Sequence, residues 1–596
     1  MDLVASAWSA RFTRGGKVEE KLVGGSGLAR ALDAGGSGAL LSLLAGYDAV
    51  ELEDNDLAVR LERVGSVARL VTRWSSGEQV TEDLDLTAVP RGDGASPVDD
   101  LAAALQDPLR VIHLRDGRWW DGPPMLGAEL VVPAIAPDRL GSPAFRAAHG
   151  VRYSYLAGAM AGGIASPELV IAMSRAGYLG FFGAGGLPVD QVEAGIRRIK
   201  QELGDAPAGF NLLHNPAEPA VEEATVDLFL ANGCTNVDAS AYMDLTPAVV
   251  RYRLQGIRED GGRIVTTNRV TAKVSRPEVA EHFLRPAPER ILEELLARGA
   301  ITKRQAELAR RIPVAEDITA EADSGGHTDR RPLPVLIPLL RRLRDRVAAE
   351  IGYPHRPRIG AAGGIGDPWA LAAALAMGAD YVMTGSINQA THEAGTSSAV
   401  KDMLLAAGFA DVTMGPAPDM FEIGAQVQVL GRGTMYAQRA AKLYEIYKAH
   451  ASLDEIPTGD RDKLEKQIFQ RPLADVWAET EAYWAKRDPR EVARAKKDGR
   501  HRMALAFRWY LGMTSRWART GEASRKRDYQ VWCGPAMGLF NDWVKGSWLE
   551  PMSARSVVAV ADAMMHGACV ATRVNVAAQA GPLPEVAYRI QPWRRA

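Results

Sequence analysis

Asp317-Ile-Thr-Ala-Glu-Ala-Asp-Ser-Gly-Gly-His327, Arg358-Ile-Gly-Ala-Ala-Gly-Gly-Ile-Gly366 and Tyr381-Val-Met-Thr-Gly-Ser386 are three short apolar runs, each breaking into small residues. Glycine and serine leave backbone N–H groups uncovered, so strand ends of this kind suit an anion. Repeated between helical patterns, they are the mark of a (β/α) barrel that grips a phosphate with the loops after its last two strands. His327 lies one strand earlier, where an imidazole faces whatever ring the phosphate carries.

Working outward from these runs, apolar segments at 153–156, 179–182, 210–213, 237–242, 264–267, 318–322, 359–362 and 381–384 alternate with helical patterns. Eight strand-then-helix repeats close a barrel, so the expected fold class is α/β, a (β/α)8 TIM barrel. Ser166 before Pro167 reads as an N-cap followed by proline at the first helical position. The stretch 277–311 is too long for an ordinary connection between strands five and six. It reads either as a helical cap over the mouth or as a surface excursion. Residues 1–130 lack the βα rhythm and are expected to form a small α+β domain, with 57–72 alternating like strands and Trp119-Trp120 and Gly122-Pro-Pro closing it as a linker. The barrel is assigned to 131–442. A helical extension packed on it is assigned to 443–596, with amphipathic spacing at 464–469, 476–484 and 557–565. The tryptophan-rich segment 507–548 reads as burial against the barrel rather than a ligand cage.

At 596 residues the chain exceeds the size of one core, so several structural units are expected. A formal charge of -2 gives no general electrostatic reason to bind nucleic acid or an anionic membrane, and neither partner is expected. Cys234, Cys533 and Cys569 are far apart and lack metal-ligand spacing, so no metal site and no disulfide framework are expected. This reading favours a reducing cytoplasm. The first residues lack a basic-then-apolar leader, and the run 39–45 is too short to span a bilayer.

The candidate site residues sit at the strand ends. Ala159 and Met160 follow the first strand among small residues that let backbone pass under a flat ring. Asn211 is an amide inside an apolar strand and suits the pyrimidine edge of a flavin. Lys273, placed just past the fifth strand, is either a cation beside the flavin N1/C2 region or a solvated lysine. Gly325 and Gly326 allow an unusual backbone path into His327, the candidate catalytic residue. Gly363, Gly364, Gly385 and Ser386 supply N–H groups and one hydroxyl to a phosphate. Without a Rossmann or P-loop glycine pattern, that phosphate suits a mononucleotide such as FMN.

With these residues in view, the barrel resembles the FMN-dependent nitronate monooxygenase and bacterial enoyl reductase superfamily, through Gly158-Ala-Met-Ala-Gly, Asn211, Lys273, Ser324-Gly-Gly-His327, Ala362-Gly-Gly-Ile and Thr384-Gly-Ser. Longer motifs resemble the PfaD-type trans-acting enoyl reductases of polyunsaturated fatty acid and trans-acyltransferase polyketide synthases. These are Glu321-Ala-Asp-Ser-Gly-Gly-His-Thr-Asp-Arg-Arg-Pro332, Thr384-Gly-Ser-Ile-Asn-Gln-Ala390, Asp419-Met-Phe-Glu422, Gln428-Val-Leu430, Phe507-Arg-Trp-Tyr-Leu-Gly512 and Asp528-Tyr-Gln-Val-Trp-Cys-Gly-Pro-Ala-Met-Gly538. The resemblance implies FMN and NADPH as cofactors and reduction of an enoyl thioester held on an acyl carrier protein. His327 then orients the thioester or supplies the proton to the α carbon. The rivals are nitronate oxidation, in which the same histidine removes a proton, and a non-catalytic synthase scaffold. For an acidic carrier the basic runs 341–346 and 525–527 are the candidate docks, and the tryptophan-rich tail makes a homodimer plausible.

Overall fold

The computed structural model describes residues 8–594 apart from 15–16, 24–48, 54–56, 65–66, 75–78, 86–95, 123–127 and 217. Eight parallel strands close a barrel in chain order: β1 Tyr155–Ala157, β2 Leu179–Phe182, β3 Gly209–Leu213, β4 Asn236–Ser240, β5 Arg269–Val274, β6 Asp317–Glu321, β7 Arg358–Ala362 and β8 Tyr381–Thr384. The strands are covered on both faces, which is why most read as short unbroken apolar runs. Ser166 caps the helix after β1, its side chain accepting the Leu169 N–H, with Pro167 at the first position.

The amino end of the barrel is a plug. Leu156, Leu179, Phe181, Tyr381 and Met383 fill the interior, and Phe145 stacks on Tyr381 at 4.4 Å between ring centres. Beside it a buried ion cluster ties helix Pro143–His149 to two strands. His149 Nε2 lies 2.9 Å from Asp317 Oδ2, and Arg358 donates to both Asp317 oxygens at 2.6 and 2.9 Å. Burial pushes the Asp317 carboxyl up, but Arg358 and His149 outweigh it and hold the group well below the usual carboxylate range.

Several expected boundaries move. The fifth strand is Arg269–Val274, so Lys273 lies within it; residues 264–267 instead contribute to an exposed hairpin, Arg258–Asp260 with Arg263–Val265. The excursion after β5 forms helices Pro277–Leu284, Glu289–Ala297 and Lys303–Ala309. Gln305 Nε2 donates to Leu254 O at 2.9 Å and Arg304 pairs with Glu259, both groups preceding β5, so the excursion ends on the flank at the amino end rather than over the mouth.

Trp119-Trp120 is not a linker. It lies in strand Arg118–Asp121, paired with Ile112–Arg115, which also pairs with Leu130–Val132; a boundary at 130 therefore cuts a sheet. A boundary at 442 likewise cuts helix Tyr436–Ala449. Before these lies an antiparallel six-stranded sheet of Lys17–Val23, Trp8–Arg14, Ala49–Glu53, Leu57–Val64, Val67–Trp74 and Gln79–Asp85, in that spatial order. The 57–72 stretch supplies two of its strands. The apolar run 39–45 and residues 1–7 lie outside the described residues.

The carboxyl-terminal part is helical. Helix Val557–Ala577 has the length and composition of a membrane span, yet 78% of its most apolar window is buried inside the fold. Its Arg573, fully buried, donates to the carbonyls of Arg110, Pro133 and Ala104, tying the 96–132 sheet region to the tail. Trp543 and Trp548 donate to Ile590 O and Pro592 O at 2.9 and 2.8 Å, so these indoles are structural.

Asp317→Asn leaves Arg358 and His149 without their anion, and a loss of about 3–5 kcal/mol is expected at pH 7, read from urea midpoints. Because the folded-state pKa is depressed, the wild-type contribution is complete above about pH 4 and is lost as pH falls from there toward that depressed value. The stability gap between the two proteins should therefore close in acid.

Candidate active site at the barrel mouth

Ala362 of β7 pairs with Met383 of β8, so Gly364 and Gly385, each two residues further on, leave the sheet at the same level. A Cβ on either would meet nothing within 4 Å, which leaves backbone open at the two adjacent strand ends. Ser386 Oγ accepts from Gly534 N at 3.0 Å and keeps its own proton to donate. Gly363 serves the packing of the loops instead. With φ +84°, its Cβ would come within 2.7 Å of the Ala322 carbonyl carbon, so its bare backbone allows the β6 and β7 loops to touch.

After β6 the chain forms a two-residue strand, Gly326–His327, antiparallel to Gln426–Leu430, with His327 opposite Val427. That pairing brings the imidazole to a residue 92 positions away: His327 Nε2 lies 3.0 Å from Asp419 Oδ1. Asp419, its side chain 48% exposed, is only partly desolvated, and the His327 hydrogen bond and charge lead the groups that bring it below the usual carboxylate range. An ionised Asp419 accepts only, so Nε2 must donate and Nδ1 is left for the mouth. Trp532 meets the imidazole edge-on at 5.6 Å.

Gly325 and Gly326 are filled from the protein's own tail. A Cβ at Gly325 would lie 2.8 Å from Cys533 N, and one at Gly326 2.8 Å from the Trp532 indole. Their lack of side chains admits the 532–534 segment, and the open backbone for an anion is at Gly364 and Gly385. Gln428 Nε2 holds the same loop through Asp323 Oδ1 and Ser324 O at 2.9 and 2.8 Å.

Inside the mouth, a polar chain runs from β3 to β6. Asn211 donates to Asp238 O and Ser240 Oγ at 3.2 and 3.0 Å, and Ser240 Oγ lies 3.3 Å from Asp238 Oδ1. Both amide protons of Asn211 are thus occupied, and its Oδ1 is the free end. Lys273 Nζ lies 3.9 Å from Asp238 and 3.5 Å from Glu321. Burial works against the Lys273 charge, but the two carboxylates outweigh it and keep the ammonium protonated. Burial pushes Asp238 up to about 6, with Lys273 pulling it down and Glu321 pushing it further up. Met160 is half-buried at the end of the β1 loop, and its carbonyl accepts from Ala165 N at 3.1 Å. Ala159 beside it packs on the interior cluster.

The structure therefore gathers Asn211 and Lys273 on one side of the mouth and His327, Gly364, Gly385 and Ser386 on the other. Asp238, Glu321, Asp419 and Trp532 join them without having been singled out. Asp238 carries a visible signal, a charge within the buried strand Asn236–Ser240. Asp419 carries only its place in the Asp419-Met-Phe-Glu422 motif, and the pairing after β6 is what makes it a neighbour of His327. A cavity of about 460 Å³ lies at the opposite end, lined by His149, Lys200, Asn236 and Arg269, and includes none of these groups.

The two expected docking runs are structural only in part: Arg342, Lys526 and Arg527 are exposed with no side-chain partner among the described residues, while the other arginines are engaged. Arg525 is buried, donating to Ile468 O, Phe469 O and Asp528 with its guanidinium 4.1 Å from the Trp517 ring centre. In the other run, Arg341 donates to Met377 O, Arg344 reaches Asp345 and Pro357 O, and Arg346 pairs with Glu281.

Fold and mouth together define a (β/α)8 barrel with a histidine–carboxylate pair and two open glycine backbones at its mouth. Residues 144–428 match the family model described as nitronate monooxygenase, and residues 450–529 the inserted helical domain of [acyl-carrier-protein] S-malonyltransferase. The crystal structure of the enoyl reductase domain of MlnA, from the macrolactin biosynthesis cluster of Bacillus amyloliquefaciens, aligns with a TM-score of 0.70 and 38% identity, covering 74% of this chain and 99% of that one. The polyunsaturated fatty acid synthase of Thraustochytrium is 48% identical in its C subunit over 456 residues, 75% of this chain and 30% of the relative. Polyketide biosynthesis protein PksE of Bacillus subtilis is 45% identical over 437 residues, 73% of this chain and 57% of the relative. The chain belongs to the nitronate monooxygenase-like barrel family, in its PfaD-type branch. It spans less than two thirds of the length of those two synthase proteins.

Gly385→Ala should leave stability within about 0.5 kcal/mol, since the new methyl enters open space. Gly325→Ala drives a Cβ into Cys533 backbone and should cost about 1–3 kcal/mol. Thermal unfolding with tryptophan fluorescence checks both.

Proposed function

We propose that this protein is a trans-acting enoyl reductase that saturates the 2,3 double bond of enoyl thioesters carried on an acyl carrier protein, using FMN and NADPH. The observation that carries this reading is the His327–Asp419 pair set beside two open glycine backbones at adjacent strand ends of a barrel mouth. The 38% identity to the MlnA enoyl reductase domain supports the same reaction class.

The residues present fit FMN. Gly364, Gly385 and the Ser386 hydroxyl would hold the phosphate, Asn211 Oδ1 would meet the pyrimidine edge, and Lys273 would stand near the N1/C2 side. Ala159 and Met160 would pass beneath the ring. When bound and reduced by NADPH, FMN supplies the hydride that ends on the β carbon of the substrate. The chain's own part is to place the thioester and complete the addition. Negative charge that develops on the thioester oxygen and α carbon needs a donor. His327 meets that need from Nδ1 in its doubly protonated form, because Asp419 occupies Nε2. Asp419 acts as a positioning residue that fixes which nitrogen faces the substrate. Trp532, edge-on to the imidazole, limits its rotation.

His327→Ala should lower the rate of enoyl-thioester reduction by roughly 10²–10⁴-fold with flavin content unchanged. Asp419→Asn should lower it less and move the pH profile, since the ring is then free to present either tautomer. An unchanged rate in His327→Ala removes the assignment. Gly385→Ala should purify with less flavin while keeping its thermal stability.

The match of residues 144–428 to the nitronate monooxygenase model favours one alternative, in which His327 removes a proton from a nitroalkane-type substrate. Anaerobic NADPH followed by a crotonyl thioester, compared with a nitronate in air, separates the two. Turnover of the nitronate alone overturns the enoyl reductase reading.

A further inference from the structure

Positions 486–502 hold eight lysines and arginines against three acidic residues, in a chain whose formal net charge is -2. The stretch covers the end of helix Leu473–Arg487, helix Pro489–Ala495 and the start of helix Gly499–Thr520. Part of this charge is satisfied locally. Arg487 pairs with Glu218 at 2.5 Å, Arg490 with Asp488 at 2.8 Å and Lys496 with Glu481 at 3.4 Å. Lys486, Arg494 and Lys497 are exposed, and their side chains have no hydrogen bond or ion pair with any described residue. These three unpaired cations fall within a twelve-residue stretch and make no internal ion pair, so the fold gains nothing from their charge.

Two contacts connect this face to the mouth. Glu218, the partner of Arg487, lies in the loop that follows β3, the strand of Asn211. Arg508 pairs with Glu422 at 3.3 Å, three residues beyond Asp419, and it sits on the same helix as Arg500, about 12 Å further along by helical rise. The basic surface therefore borders the rim and runs toward the loop that holds His327.

We propose that this face, centred on Lys486, Arg494 and Lys497, receives an acidic carrier domain and directs its thioester-bearing arm along helix Gly499–Thr520 into the mouth. The inference rests on the enoyl reductase reading for the identity of the cargo. The surface itself is argued from charge complementarity: a negatively charged domain is steered to a net cationic patch, three of whose cations have no counter-ion among the described residues. The structure adds this patch to the two sequence candidates, in which Arg341, Arg344, Arg346 and Arg525 are engaged while Arg342, Lys526 and Arg527 stay exposed.

The test is the triple variant Lys486→Glu/Arg494→Glu/Lys497→Glu, with an unchanged melting temperature as the control for folding. On a carrier-bound enoyl substrate, KM should rise roughly tenfold with kcat preserved, and the wild-type KM should worsen with salt while the variant's does not. On a short enoyl-pantetheine thioester the two proteins should be equal. Equal effects on both substrates, or none, overturn the dock while leaving the reductase reading intact. If wild type turns over neither substrate, the reductase reading fails, and direct titration of a labelled carrier domain decides the dock: unchanged affinity in the variant overturns it. Loss of binding to anionic vesicles or to duplex DNA, with carrier binding unchanged, assigns the patch to another partner and overturns it too.

Discussion

The active mouth depends on one close backbone contact, that of Gly325 with Cys533. A Cβ at Gly325 would stand 2.8 Å from Cys533 N, and one at Gly534 2.9 Å from Gly325 N, so the two segments pass without side chains between them. Through this contact the tail reaches both halves of the site. Gly534 N donates to Ser386 Oγ at the end of the eighth strand, Gln389 donates to Trp532 O, and Trp532 itself stands against His327. Leu430 N donates to Val531 O at 2.8 Å, which extends the small sheet carrying His327. The histidine is thus held by a strand pairing and a carboxylate from one remote part of the chain and an indole from another.

The two ends of the barrel divide their labour by electrostatics. At the amino end Asp317 is buried with both oxygens hydrogen-bonded, to the Arg358 guanidinium and the His149 ring, a stabilising arrangement. At the mouth Asp238 is buried with Lys273 at 3.9 Å and a second carboxylate, Glu321, nearby, and its pKa is pushed up to about 6. Compensated charge there would serve folding, whereas the uneven balance leaves a protonated lysine oriented toward the interior, as a group awaiting a further partner would be.

Most of the barrel was legible because its strands are buried on both faces and end in glycine, a pattern that few other elements share. The fifth strand was not. Arg263–Val265 has the apolar look of a barrel strand but forms an exposed hairpin, while Arg269–Val274 hides behind its two cations. The open backbone at Gly364 and Gly385 could be read from local sequence, because glycine at a strand end is a local signal. The place of His327 after the sixth strand could be read too, but its pairing with Asp419 could not, since a two-residue strand 92 positions upstream decides that meeting. The tail's role at Gly325 was invisible for the same reason: glycine signals a close approach without naming what approaches. The basic runs could be read only as charge density, which says nothing of burial: Arg525 is enclosed by the Trp517 ring, two carbonyls and Asp528, while Lys526 and Arg527 beside it stay exposed.

Because Val531 through Gly534 completes the walls around His327, the unit that could be transplanted into another assembly line is larger than the cylinder of strands. A cut at residue 428, where the family match stops, would run through the very strand that pairs with Gly326–His327 and would discard the indole beside it. Modularity in this protein follows the hydrogen-bonded path of the tail, and an engineer seeking a portable catalyst must carry that path along.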